Sequence, residues 1–125
     1  MYRKSALAAY SNIDVETKTE SQSPAKLVTM LFDKACVLLR QANENLAREE
    51  NEAFDKATTH ALQIVIALRG VLDIEQGCYL AQSLYDTYTS IAASLFKAKS
   101  DKDSESIDKL YEAMSELREA WQTVT

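Results

Sequence analysis

Ser23-Pro24-Ala25-Lys26-Leu27-Val28-Thr29-Met30-Leu31-Phe32-Asp33-Lys34-Ala35-Cys36-Val37-Leu38 is the stretch that decides the fold. It opens as a helix should. A serine hydroxyl can cap the free N–H groups of a first turn. Proline is tolerated at the first helical position, where its missing N–H would have no partner anyway. Apolar residues then recur at Leu27, Leu31, Ala35, Leu38, Ala42 and Leu46, in steps of three and four that set them along one helical face.

The same pattern continues outward from this helix. Asn51 can cap a second helix with the stripe Phe54, Ala57, Ala61, Ile64, Leu68 and Leu72, and Gly77 marks the break after it. A third carries Leu80, Leu84, Tyr88, Ile91, Leu95 and Ala98. The polar run Ser100-Asp101-Lys102-Asp103-Ser104 makes the next turn, and Asp103 or Ser104 can cap a fourth helix with Ile107, Leu110, Tyr111, Met114, Leu117, Trp121 and Val124. Short polar connections make consecutive helices antiparallel neighbours. The pattern predicts an all-α protein: an antiparallel up-down four-helix bundle over 23–125, preceded by an irregular N-terminal arm over 1–22. The arm's apolar residues gather at Leu7, Ala8, Ala9 and Tyr10, then Ile13 and Val15, so a stretch near residues 5–10 is expected to dock on the bundle.

Composition agrees. The chain has 125 residues, with 2 Gly and 1 Pro, where average usage would supply about 15 of the two together. A β-sandwich or barrel, with its Gly/Pro-rich turns, is excluded, and so is a glycine-rich phosphate loop. The formal net charge is −5, and no Lys/Arg run exceeds the pair Arg3-Lys4. A nucleic-acid partner or an anionic membrane needs a clustered basic surface, so neither is expected. No run of apolar residues is long enough to span a bilayer, and Ser5 to Tyr10 is too short and polar for a signal peptide. A cytosolic location is the expectation.

The apolar residues exceed what a bundle core uses. At about 100° per residue, Ile64-Val65-Ile66-Ala67-Leu68 point at about 0, 100, 200, 300 and 40°, all around the helix, whereas a core-facing stripe is only somewhat wider than 100°. The first helix shows the same excess in Leu27-Val28, Met30-Leu31-Phe32 and Cys36-Val37-Leu38-Leu39. The fourth does not: Asp108, Lys109, Glu112, Glu116, Arg118 and Glu119 keep its outer face polar. Such a surplus is either covered by the arm, a second copy or a foreign peptide, or left exposed as an interaction site. If the first two helices are simply the more central pair, no site is needed.

Chemistry is sparse. His60 is the only histidine, and Ala57 stands three residues before it, so the Glu-x-x-His pairs of a di-metal bundle are missing. His60 reads as a surface or boundary residue. Cys36 and Cys78 are far apart and read as buried thiols. No nucleophile has a local base, so neither an enzyme nor a cofactor or metal is expected. The 6 tyrosines suit boundaries. Tyr88 and Tyr111 are expected in the core, and Tyr10 is expected to dock the arm.

The order and spacing of several motifs resemble the flagellar secretion chaperone family FliS. The resemblance runs from Met1-Tyr2 and Ala9-Tyr10 through Ser23-Pro24-Ala25-Lys26-Leu27-Val28-Thr29-Met30-Leu31-Phe32-Asp33 and Leu72-Asp73-Ile74-Glu75-Gln76-Gly77. It continues through Leu80-Ala81 to Leu117-Arg118-Glu119-Ala120-Trp121. Cys78 replaces a second turn glycine, and only Tyr88 matches by identity in the segment 87–91, so the third helix is the most divergent. The resemblance implies an antiparallel helical bundle in the cytosol. It would bind the disordered C-terminal segment of flagellin, keep it unpolymerised and pass it to the flagellar export apparatus. The client would wrap apolar grooves that the arm can occupy when free. On that implication and the apolar surplus, the expected groove residues are Leu27, Leu31, Ile64, Leu68, Leu72, Leu80, Leu84 and Tyr88, with Leu7 and Tyr10 as the arm cap. The alternative is a helical adaptor or structural protein that uses the same surface to form a homodimer.

Overall fold

The computed structural model describes residues 2–11 and 23–125. Among them are five α-helices and no strand: α1 (Tyr2–Ala9), α2 (Pro24–Ala47), α3 (Asn51–Gly70), α4 (Ile74–Asp101) and α5 (Ser104–Val124). The helices begin where local chemistry starts them. Ser23 accepts from the Lys26 N–H with Pro24 at the first turn, Asp73 accepts from the Gln76 N–H, and Asp103 from the Ser106 N–H. Asn51 is the first residue of α3 rather than its cap; Glu50 precedes it and makes no side-chain capping bond. Lys102 closes α4 in a left-handed conformation at φ 52°.

Cross-helix contacts give the arrangement. Along α2 and α5, Asn43 reaches Asp108, Arg40 reaches Tyr111, Asp33 pairs with Arg118, and Thr29 meets Trp121. The α5 number rises as the α2 number falls, so the two helices are antiparallel. Lys99 with Asp55 and Arg69 with Thr89 show the same for α3 and α4. Helices α2 to α5 pack in a ring, and α1 lies across α4 and α5. The expected all-α antiparallel bundle is the observed architecture.

The core is filled by large side chains from α2 to α5, including Phe32, Leu39, Phe54, Leu68, Tyr88, Leu95, Ile107 and Met114, each at 2 % exposure or less. Each such side chain contributes about 1.5–3 kcal/mol relative to exposure. Cys36 is buried, as expected of it, and burial raises its thiol pKa against the opposing pull of Arg118. The Cys78 side chain, Met1, Ile13 and Val15 lie outside the described residues.

Three further expectations change. The described part of the arm is not irregular: residues 2–9 form α1. The sequence Ser-Ala-Leu-Ala-Ala is strong in helix formers, and Ala6, Ala9 and Tyr10 form one buried face. Eight residues could not hold a helix alone in water, so docking stabilises it. Gly77 is not the break after α3; the chain turns at Val71–Asp73, and Gly77 sits inside the first turns of α4. Tyr111 is half-buried rather than in the core, with the Arg40 guanidinium 4.8 Å above its ring and donating to its hydroxyl at 2.7 Å.

Candidate functional site

Two apolar openings lie on the bundle. The first is a groove of about 740 Å³ between α2 and α3. Half-buried Leu27, Leu31 and Val71, with buried Ile64, form its walls, and Met30 and Val37 stand beside them at 51 % and 48 % exposure. Both methionine and valine are large enough that leaving them in water forfeits stabilisation, so their exposure marks the groove as an unfinished core. Asp33, Lys34 and exposed His60 are the polar residues along it. A groove with an apolar lining and a polar border suits the apolar face of an amphipathic segment.

The second opening is a recess of about 170 Å³ under the arm, between Ala6 of α1 with Tyr10 just beyond it and Leu80, Leu84, Leu117 and Val124 of the bundle. Here the arm is clasped at three points. Tyr10 is 1 % exposed; its hydroxyl bonds the buried Tyr88 hydroxyl, and its ring meets Trp121 edge-on at 5.3 Å. Burial holds both phenol pKa values well above their ordinary range, so the pair stays neutral. Trp121 is itself fixed, its indole N–H donating to the Thr29 hydroxyl at 2.9 Å and to the Ala25 carbonyl at 3.3 Å. On either side of Tyr10, the Asp73 N–H donates to the Ala9 carbonyl at 2.7 Å, and the Ser11 hydroxyl donates to the Asp73 carboxylate at 2.7 Å. Asp73 therefore caps α4 and holds the arm with one carboxylate. The Ser11 bond, then the Gln76 N–H, lower its pKa.

Gly77 explains how closely α1 approaches. A Cβ added there would lie 2.7 Å from the Ala9 Cα, 2.9 Å from the Ala9 Cβ and 2.6 Å from the Ala81 Cβ. No side chain fits, so this glycine is required by the contact between α1 and α4.

The residues expected from sequence divide between these places. Leu27, Leu31 and Ile64 line the α2/α3 groove. Leu80, Leu84 and Tyr88 line the recess under the arm, with Tyr88 fully buried. Leu68 and Leu72 are buried in the core and line neither opening. Tyr10 is locked into the bundle, whereas Leu7 is 39 % exposed on the outer side of α1. Met30, Val37, Ala67 and Val71 were not singled out as site residues. Met30, Val37 and Ala67 carried a signal, as part of the apolar surplus; Val71 carried none.

A scan of protein families matches residues 6–125 to the family described as flagellar protein FliS. The chain belongs to the FliS family. Relatives named flagellar secretion chaperone FliS include that of Salmonella typhimurium, 31 % identical across 100 % of this chain and 93 % of the relative. Another, from Vibrio cholerae, is 26 % identical across 97 % of this chain and 89 % of the relative. The flagellar secretion chaperone FliSB of Pseudomonas aeruginosa is 26 % identical across 100 % and 99 %. Membership of FliS places the chain among chaperones of flagellar secretion. Among the described residues, no helix is long and apolar enough to cross a membrane, and no group of three or more His, Cys, Asp or Glu is placed to hold a metal ion.

Proposed function

We propose that this protein is a cytosolic chaperone that binds the disordered C-terminal segment of flagellin and keeps it from polymerising until export. The observation that carries the reading is the open apolar groove between α2 and α3, with Met30 and Val37 left about half exposed beside it. A folded single chain gains nothing from such a groove. A disordered client that folds onto it gains about 2.5 kcal/mol for each ~100 Å² of apolar surface covered, before ordering costs.

Leu27, Leu31 and Ile64 are the first station of the client. Leu80, Leu84 and Tyr88 are the second, open once α1 lifts from its seat. Leu68 and Leu72 act from the core, supporting the α3 wall and the turn into α4. Leu7 and Tyr10 belong to the cap that the client replaces, and residues 1–22 act as an arm separable from the 23–125 bundle. The loaded chaperone then delivers its client to the export apparatus. The part played by the chain itself is binding, with no catalytic step.

Calorimetry with a flagellin C-terminal peptide tests this. The expected result is 1:1 binding with a clearly negative heat-capacity change, the signature of apolar burial with coupled folding. Absence of binding at tens of micromolar peptide, together with a tight dimer in sedimentation, would favour the homodimer reading of the same surface.

A further inference from the structure

The arm fits its own seat poorly in two opposite ways. Among its described side chains, those buried against the bundle are the small Ala6 and Ala9, with Tyr10 as the one large group. Beside Ala6 the recess of about 170 Å³ is left unfilled. Its size is similar to the ~150 Å³ of an engineered apolar cavity that accepts benzene, although this recess is partly open at the surface. The walls are apolar, and the nearest polar groups are already engaged: the Tyr10 and Tyr88 hydroxyls with each other, the Trp121 N–H with Thr29. Water gains little there. Three residues further along α1 the fit is the reverse. Ala9 lies so close to α4 that even one carbon on Gly77 would collide with it.

On the reading that a client helix replaces the arm, we infer that the seat selects that helix by a two-part rule. It takes a small residue opposite Gly77 and a bulky aliphatic residue three positions before it, where the arm offers only Ala6. The bulky residue gains the dispersion contacts that the arm forgoes, so the client displaces an arm that still closes the seat in its absence. The partner is thus a helical peptide with the pattern bulky-x-x-small, and Gly77 is the specificity-determining residue.

Three variants of the full chain test the rule. Trp121 fluorescence reports arm docking, and calorimetry with a flagellin C-terminal peptide reports client affinity. Ala6→Leu fills the recess: the expected results are a melting temperature a few degrees higher and a client affinity roughly tenfold weaker, because the arm now competes better. Ala9→Leu cannot pass Gly77: the arm undocks, Trp121 emission shifts to the red and the peptide binds more tightly. Gly77→Ala blocks arm and client alike, so docking and affinity both fall. If this last variant does not fold, the first two decide. An Ala6→Leu chain that melts no higher than the unaltered one, an Ala9→Leu arm that still docks, or a folded Gly77→Ala chain with undiminished peptide affinity would each overturn the rule. If the unaltered chain fails to bind the peptide, the flagellin reading falls and the client rule falls with it. The melting of Ala6→Leu and the docking of Ala9→Leu still judge the seat itself.

Discussion

Replacing Tyr10 with Phe removes one oxygen and almost no volume, so its effect isolates the Tyr10–Tyr88 hydroxyl pair. Tyr88 is fully buried and its hydroxyl is bonded to that of Tyr10. In Tyr10→Phe the Tyr88 hydroxyl stays buried and loses this partner, which costs about 1–3 kcal/mol; Tyr88→Phe strands the Tyr10 hydroxyl at similar cost. The double variant Tyr10→Phe/Tyr88→Phe leaves no stranded group and is expected within about 1 kcal/mol of the unaltered chain, since two apolar rings of the same shape fill the space equally well. The two single costs less that of the double leave a coupling of about 1–6 kcal/mol, and most of it should appear in arm docking. Trp121, the only tryptophan, touches the Tyr10 ring at 5.3 Å. Its emission under denaturant reads the arm, while far-ultraviolet circular dichroism reads the bundle. Additive single effects, or two silent single variants, would refute the account of a buried, mutually satisfying pair.

Met30→Ser combined with Val37→Ser should leave stability within about 0.5 kcal/mol, because both side chains are half in water already, yet weaken flagellin-peptide binding about tenfold or more in calorimetry. Phe54→Ala empties a fully buried site and should cost about 3–5 kcal/mol in urea unfolding. Asp73 has a folded-state pKa below its unfolded value, set by Ser11 and then by the Gln76 N–H. Its stabilisation is thus present above the ordinary carboxylate range near ~4 and is lost as pH falls through the folded pKa. Asp73→Asn should weaken arm docking at neutral pH and flatten its acid dependence, followed by Trp121 emission from pH 7 to 3.

Much of the bundle was legible because its signals are local. Ser23-Pro24 and Asp103 start helices through bonds within one turn, and the stripes of α3 and α5 fall on buried positions such as Phe54, Ala61, Ile107 and Met114. The candidate site was legible as a surplus rather than as a place. Leu27, Leu31 and Ile64 were expected on an open apolar surface and do line a groove, but Leu68 and Leu72 look the same in sequence and lie inside. Helical periodicity reports which residues share a face and carries no information about which neighbour covers that face.

By itself, the sequence determined an all-helical chain, its connections and an excess of oily side chains in the first two long helices, because capping and periodicity act over a few residues. Tertiary structure alone decided how that excess is divided. In α2, two apolar faces compete on equal terms. Contact with the other helices turns Val28, Phe32, Cys36 and Leu39 inward and leaves Leu27, Met30, Leu31 and Val37 to the groove. It also decided the meaning of Gly77. Alone, a glycine reads as a break in a helix. Against Ala9 it becomes the gap that lets a second helix approach, since the steric limit belongs to two segments far apart in the chain.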